Sequence, residues 1–182
     1  MFFVLPYSLN AQVKNAKLIV NEDSKIVSGA EKPNGLSLKL ELFTDDAGKS
    51  QKVSFCISDS IYVGVTAYFQ GSRSVNFASK DPMIRFHPII LANGESYAFS
   101  PEAKQKIKDA VKINKESIWY SGPTIRIPPN EGYKLATLNV SDWYGRLPVG
   151  VYQLSIEFDL DGQITKSDTV AFEIATCDVR FD

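Results

Sequence analysis

From Tyr152 to Phe158 the chain alternates strictly, with Tyr152, Leu154, Ile156 and Phe158 on one side and Gln153, Ser155 and Glu157 on the other. A period of two is the pattern of a half-buried antiparallel strand. Pro148 and Gly150 turn the chain into this strand, and Asp161-Gly162 turns it out as a tight hairpin. The pattern constrains the fold strongly and the chemistry hardly at all.

The rest of the chain keeps the same rhythm. Lys17 to Val20 and Lys25 to Val27 are short strand candidates, and Leu36, Leu38, Leu40 and Leu42 alternate with Ser37, Lys39 and Glu41. Asp45-Asp-Ala-Gly48 turns into a run from Lys52 to Ile57, which is expected to form a mid-sheet hairpin with Ile61 to Gln70. Further strands are expected within Met83 to Leu91, where Pro88 implies an edge or a bulge, before the Asn93-Gly94 turn, and at Tyr133 to Val140 and Thr169 to Ile174. Eight to ten short strands at this spacing predict an all-β, two-sheet sandwich. One stretch departs from it. Ser100 suits a cap, Pro101 the first helical position, and Ala103, Ile107, Ala110 and Val111 recur at helical spacing, so a short amphipathic helix is expected over Pro101 to Lys112. Its other face carries Lys104, Lys106, Lys108 and Lys112, either a solvated face or a basic docking face for an acidic partner.

With 182 residues the chain suits a single domain, taken as residues 12–182 with a helical insertion at about 100–117. A 44% hydrophobic and 23% charged composition is that of an ordinary globular protein. A formal net charge of −1 supplies no global field for nucleic acid. No stretch approaches the roughly 20 apolar residues of a membrane span.

The N-terminus has two readings. Residues 1–11 resemble a truncated signal-peptide remnant, apolar at Phe2 to Leu5 with cleavage after Ala11, which implies a secreted or periplasmic protein. The same residues also read as an N-terminal strand, which leaves the protein cytoplasmic. Cys56 and Cys177 fall on the more polar faces of their strands. That placement allows a bridge between neighbouring strands or across an edge, and equally two free thiols.

The sequence Pro148-Val-Gly150-Val-Tyr152, with its strand, Asp-Gly hairpin and final strand, resembles the end of an immunoglobulin-like or fibronectin-like sandwich. The resemblance implies that Tyr152 is a tyrosine corner, bonding backbone near Trp143 to Gly145. Leu154 stands where antibody-type domains carry their second cysteine. Tyr120-Ser-Gly-Pro123, Ile127 to Gly132, Asn139 to Asp142 and Gly150-Val-Tyr152 are similar to the β-sandwich domain preceding aspzincin-type metallopeptidases, and to bacterial proteinase-inhibitor sandwiches. The His-Glu-x-x-His motif of the peptidase is missing, so no catalytic residue carries over.

The inventory for catalysis is thin. His87 is the single histidine, so a two-histidine zinc site cannot be built, and a Cys56-His87 dyad has no local support. Asp159-Leu-Asp161-Gly162 lacks the closing carboxylates of a calcium loop and reads as a turn. Glu157 and Asp142 are a remote candidate pair for glycoside hydrolysis. No cofactor is implied. Asn139-Val-Ser141 has the form of a glycosylation sequon. The aromatic pairs Trp119-Tyr120 and Trp143-Tyr144 are the better candidates, each either an exposed binding anchor or a plug at one end of the sandwich.

Together these features predict an exported, non-enzymatic protein-interaction module, accessory or inhibitor-like, of the cell envelope or periplasm, with an unidentified protein partner. The alternatives are a carbohydrate-binding module using exposed aromatics, and a small hydrolase with converging carboxylates. Tyr152, Gly150, Cys56 and Cys177 are expected to be structural.

Overall fold

The computed structural model describes residues 35–116 and 124–177. In chain order the elements are β1 (Leu36–Phe43), β2 (Ser54–Cys56), β3 (Tyr62–Phe69), β4 (Val75–Ala78), α1 (Pro82–Arg85), β5 (Phe86–Ala92) and β6 (Glu95–Ser96). They continue as α2 (Pro101–Glu116), β7 (Thr124–Ile127), β8 (Gly132–Asn139), α3 (Ser141–Tyr144), β9 (Gly150–Leu160), β10 (Gln163–Lys166) and β11 (Val170–Ala175). The fold is all-β with a small helical insertion.

The four leucines of β1 are all buried, because the strand's period of two sends every one of them to the same side. β1, β3 and β8 form one antiparallel sheet in the order β1-β3-β8. β9 is the spine of the other, ordered β2-β11-β9-β5-β6, with β10 also paired to β9. Tyr152, Leu154, Ile156 and Phe158 are each no more than 3% exposed, as the alternation requires. They join the leucines of β1, Val63 and Val65 of β3, Ile90 of β5 and Phe172 of β11 in one apolar cluster, so the inner faces of both sheets meet in a shared core. Burying one such side chain stabilises the fold by about 1.5–3 kcal/mol. β4 and β7 form a separate two-stranded ribbon that adds Phe77 and Ile127 to this core.

Several local expectations change. The runs containing β2 and β3 do not form a hairpin: β3 pairs with β1 and β8, whereas β2 runs parallel to β11 in the other sheet. The carboxylate of Asp59 accepts from Cys56 N at 2.9 Å and closes a turn there, which redirects the chain between sheets. Because β2 is only three residues long, Val53 and Ile57 on either side of it are exposed although they share the parity of buried Phe55. Met83 to Arg85 belong to a helical turn, not a strand, since Asp81 accepts from Met83 N at 2.8 Å and Pro82 fixes the first helical φ. The helix α2 ends at Glu116, one turn beyond the expected Lys112, in residues without a helix breaker.

The two expected hairpin turns are present. Asp161 and Gly162, like Asn93 and Gly94, adopt positive φ, which is what a two-residue turn between right-twisted strands demands.

Candidate functional site

Trp119 and Tyr120 lie outside the described residues. Trp143 and Tyr144 are 2% and 6% exposed, which corrects their reading as surface anchors. The reason is a gap in the sheet. Pro88 supplies no N–H on β5, and Tyr144, presented by α3, fills the vacant edge: its hydroxyl donates to Pro88 O at 2.7 Å and accepts from Ile90 N at 3.1 Å. Burial pushes the phenol up to about 12, against an ordinary 10.0. Tyr97 N completes the edge by donating to Ile90 O at 2.8 Å. β5 is thereby closed by side chain and loop where a further strand would otherwise be free to add. A flat aromatic platform for sugar cannot include Trp143 or Tyr144.

The structural residues fall as follows. Tyr152 donates its hydroxyl to Pro148 O at 2.8 Å, four residues upstream, not to the Trp143 to Gly145 stretch, which α3 occupies. Gly150 lies beneath this ring: a side chain there would begin 3.3 Å from the hydroxyl. Cys56 and Cys177 are joined, with Cα atoms 5.3 Å apart, linking the end of β2 to the residues just past its neighbour β11. The bond removes any Cys56 thiol, and with it the Cys56-His87 dyad. His87 is half-buried opposite Glu157 in the β5–β9 ladder. Glu157 and Asp142 are engaged separately, with Lys166 at 3.9 Å and Lys106 at 3.7 Å. Asp159 accepts from Gly162 N at 2.6 Å and so closes its hairpin. Among the described residues no three His, Cys, Asp or Glu side chains gather as a metal site would require.

Sequence reasoning missed Arg85. Its guanidinium, with a side chain 3% exposed, lies at one end of the core. It donates to Asp159 O at 2.6 Å, to Ala78 O, and to the carboxylate of Asp161 at 3.1 Å, and sits 5.3 Å from the ring of Phe77. The contacts tie the β9–β10 hairpin to the end of β4.

Among the described residues, two of the surface recesses bear on the site. One, of about 180 Å³, adjoins the disulfide and is lined by Cys56, Asp59, Ser60, Ser141 and Arg146 among others. Hydrogen bonding from Cys56 N holds the Asp59 carboxyl below its ordinary range, and Lys52 assists from 3.2 Å. The other, of about 330 Å³, lies between α1 and the C-terminal half of α2, lined by Pro82, Ile84, Ala110, Ile113 and Asn114 with Ser79 to Asp81.

The helix beside that cleft is firmly seated. Ser100 caps it, accepting from Ala103 N at 3.1 Å, and Ser100 N donates to Trp143 O at 2.9 Å. Ala103 and Ala110 are buried and Ile107 and Val111 half-buried, so the apolar stripe docks as its spacing predicts. Ile113, by contrast, is 63% exposed at the mouth of the cleft. Set against family models, curated proteins and solved structures, the chain finds no match.

Proposed function

We propose that the chain is an exported, non-enzymatic interaction module on an immunoglobulin-like sandwich, acting through protein contacts at the face formed by α2 and its cleft in the cell envelope or periplasm. The observation that carries this reading is Ile113, a large aliphatic side chain 63% exposed on a capped, docked helix at the mouth of a cleft of about 330 Å³. A rigidly held apolar side chain beside a recess is the usual form of a protein-contact anchor.

Strand order supports the immunoglobulin-like part. In such domains the first strand divides between the sheets, its second half running parallel to the last strand; β1 beside β3 and β2 parallel to β11 fit that plan. Tyr152 then stands near the start of β9, the strand that pairs with the last one, as a tyrosine corner does. The Cys56–Cys177 bond supports export, since disulfides persist in oxidising compartments.

A photoreactive amino acid at position 113 tests the docking face. In intact cells of the native host it is expected to give a discrete cross-linked protein adduct, while the same group at Lys39, on the far sheet, gives none. Equal labelling from both positions, or none from 113, defeats the proposal. Alkylation of whole cells under denaturing conditions checks the compartment: both cysteines are expected to resist until a reductant is added.

A further inference from the structure

The recess of about 180 Å³ beside the disulfide shares no lining residue with the cleft of α2. One wall is the turn that follows β2, and the other is the segment from Val140 to Leu147. Backbone bonds fix both. Ile57 N donates to Ala175 O, Val140 N to Ile61 O and Gly145 N to Ser141 O, each at 2.9 Å, while the disulfide ties Cys56 to the residues past β11. The recess is therefore formed before any ligand arrives, as small-molecule sites usually are.

Its floor is the core itself: Ile61, Val140, Leu147 and Ile174 line it, and none is more than 7% exposed. Its rim carries one charge of each sign, Asp59 and Arg146. Among the described residues the exposed Arg146 has no ion-pair partner, because Asp59 is held by Lys52 at 3.2 Å and Asp142, four residues before Arg146, lies by Lys106 at 3.7 Å. Lys52 Nζ and Cys56 N both donate to the same Asp59 oxygen, Oδ2, so Oδ1 is left for another donor. The Asp59 carboxyl is held below its ordinary range and is ionised at neutral pH.

Two opposite charges that line one recess without pairing suit a ligand that carries both. An anion alone would bind Arg146 but meet the Asp59 carboxylate, and a cation alone would meet the guanidinium. The volume equals that of roughly six waters, which admits a molecule the size of alanine or valine and no sugar ring or peptide. We infer that the recess binds a free α-amino acid with a short aliphatic side chain. Its carboxylate lies on the Arg146 guanidinium, its ammonium on Asp59 Oδ1, and its side chain on the apolar floor.

The probes are L-alanine and L-valine, titrated into the oxidised chain and followed through the amide NMR signals of Ser60, Gly145 and Arg146, with Lys39 on the far sheet as reference. Saturable shifts are expected at the first three and none at Lys39. L-Alaninamide lacks the carboxylate and propionate lacks the ammonium, and each is expected to bind about tenfold more weakly than alanine, the effect of one charge-assisted hydrogen bond. Arg146→Gln is expected to weaken alanine by the same factor with an unchanged thermal midpoint, since that side chain supports nothing in the fold. L-Tryptophan, too large for the recess, is expected to leave the three amides unmoved. Absence of saturable shifts with either amino acid overturns the inference, and so does alanine-like affinity for propionate, alaninamide or tryptophan. Undiminished binding by Arg146→Gln does the same.

Discussion

Two tyrosine hydroxyls do different work. Tyr152 bonds Pro148 O at the corner entering β9, so Tyr152→Phe is expected to cost about 0.5–1.5 kcal/mol in urea unfolding with no change of fold. An unchanged midpoint would count against the corner. Tyr144 satisfies both Pro88 O and Ile90 N in a buried setting, and Tyr144→Phe leaves both without that partner, costing about 1–3 kcal/mol. Its pH signature is alkaline. The folded phenol titrates at about 12 against 10.0 when exposed, so its contribution is complete below pH 10 and fades as pH climbs toward 12. Stability measured from pH 8 to 12 should fall less steeply in Tyr144→Phe than in the parent. The sequence announced Tyr152, because a strand pattern and its entry turn are local. It left Tyr144 open between an exposed anchor and a plug, because the edge gap at Pro88 exists only after β5 has paired with β9.

Among the elements, α2 was legible down to its cap, since helical spacing and Ser100-Pro101 are read directly from neighbouring residues. The short helix α1 and the Arg85 clasp were not. Arg85 sits in an apolar run, and its partners Asp159 and Asp161 lie 74 and 76 residues away. Its substitution is therefore a test of long-range packing. Arg85→Met is expected to cost about 2–4 kcal/mol by leaving Ala78 O and Asp159 O without their donor. Asp161→Asn should cost under about 1 kcal/mol, because that carboxylate is half exposed. Similar losses in the two variants would show that the ion pair, not the pair of carbonyl contacts, carries the clasp. Hydrogen exchange at the β9–β10 hairpin would show the loosening directly.

For the whole molecule, the alternating runs made an all-β fold with one helical insertion legible, because burial of one face is a property each strand carries in its own sequence. Which sheet a strand joins was not, as the parallel pairing of β2 with β11 shows. The bond between Cys56 and Cys177 spans a sequence separation of 121 residues. In the chain-entropy model, closing so long a loop stabilises the fold by about 5 kcal/mol. Cys177→Ser should lower stability by 2–5 kcal/mol, with thermal unfolding showing a single displaced transition; a loss below about 1 kcal/mol would mean that the unbridged chain is already compact when unfolded.

The same bond reroutes mechanical load. A pull applied beyond Cys177 crosses the sulfur atoms to Cys56 and bypasses β3 to β11, the strands that lie between the two cysteines. Nearly the whole sandwich is thus a slack ring hung on a short tether. Stretched as a single molecule, the oxidised chain should lengthen only by the segment ahead of Cys56, and a reductant should release a further roughly 400 Å of hidden contour. A domain built this way can be pulled from both ends while the strands inside the ring bear no direct load.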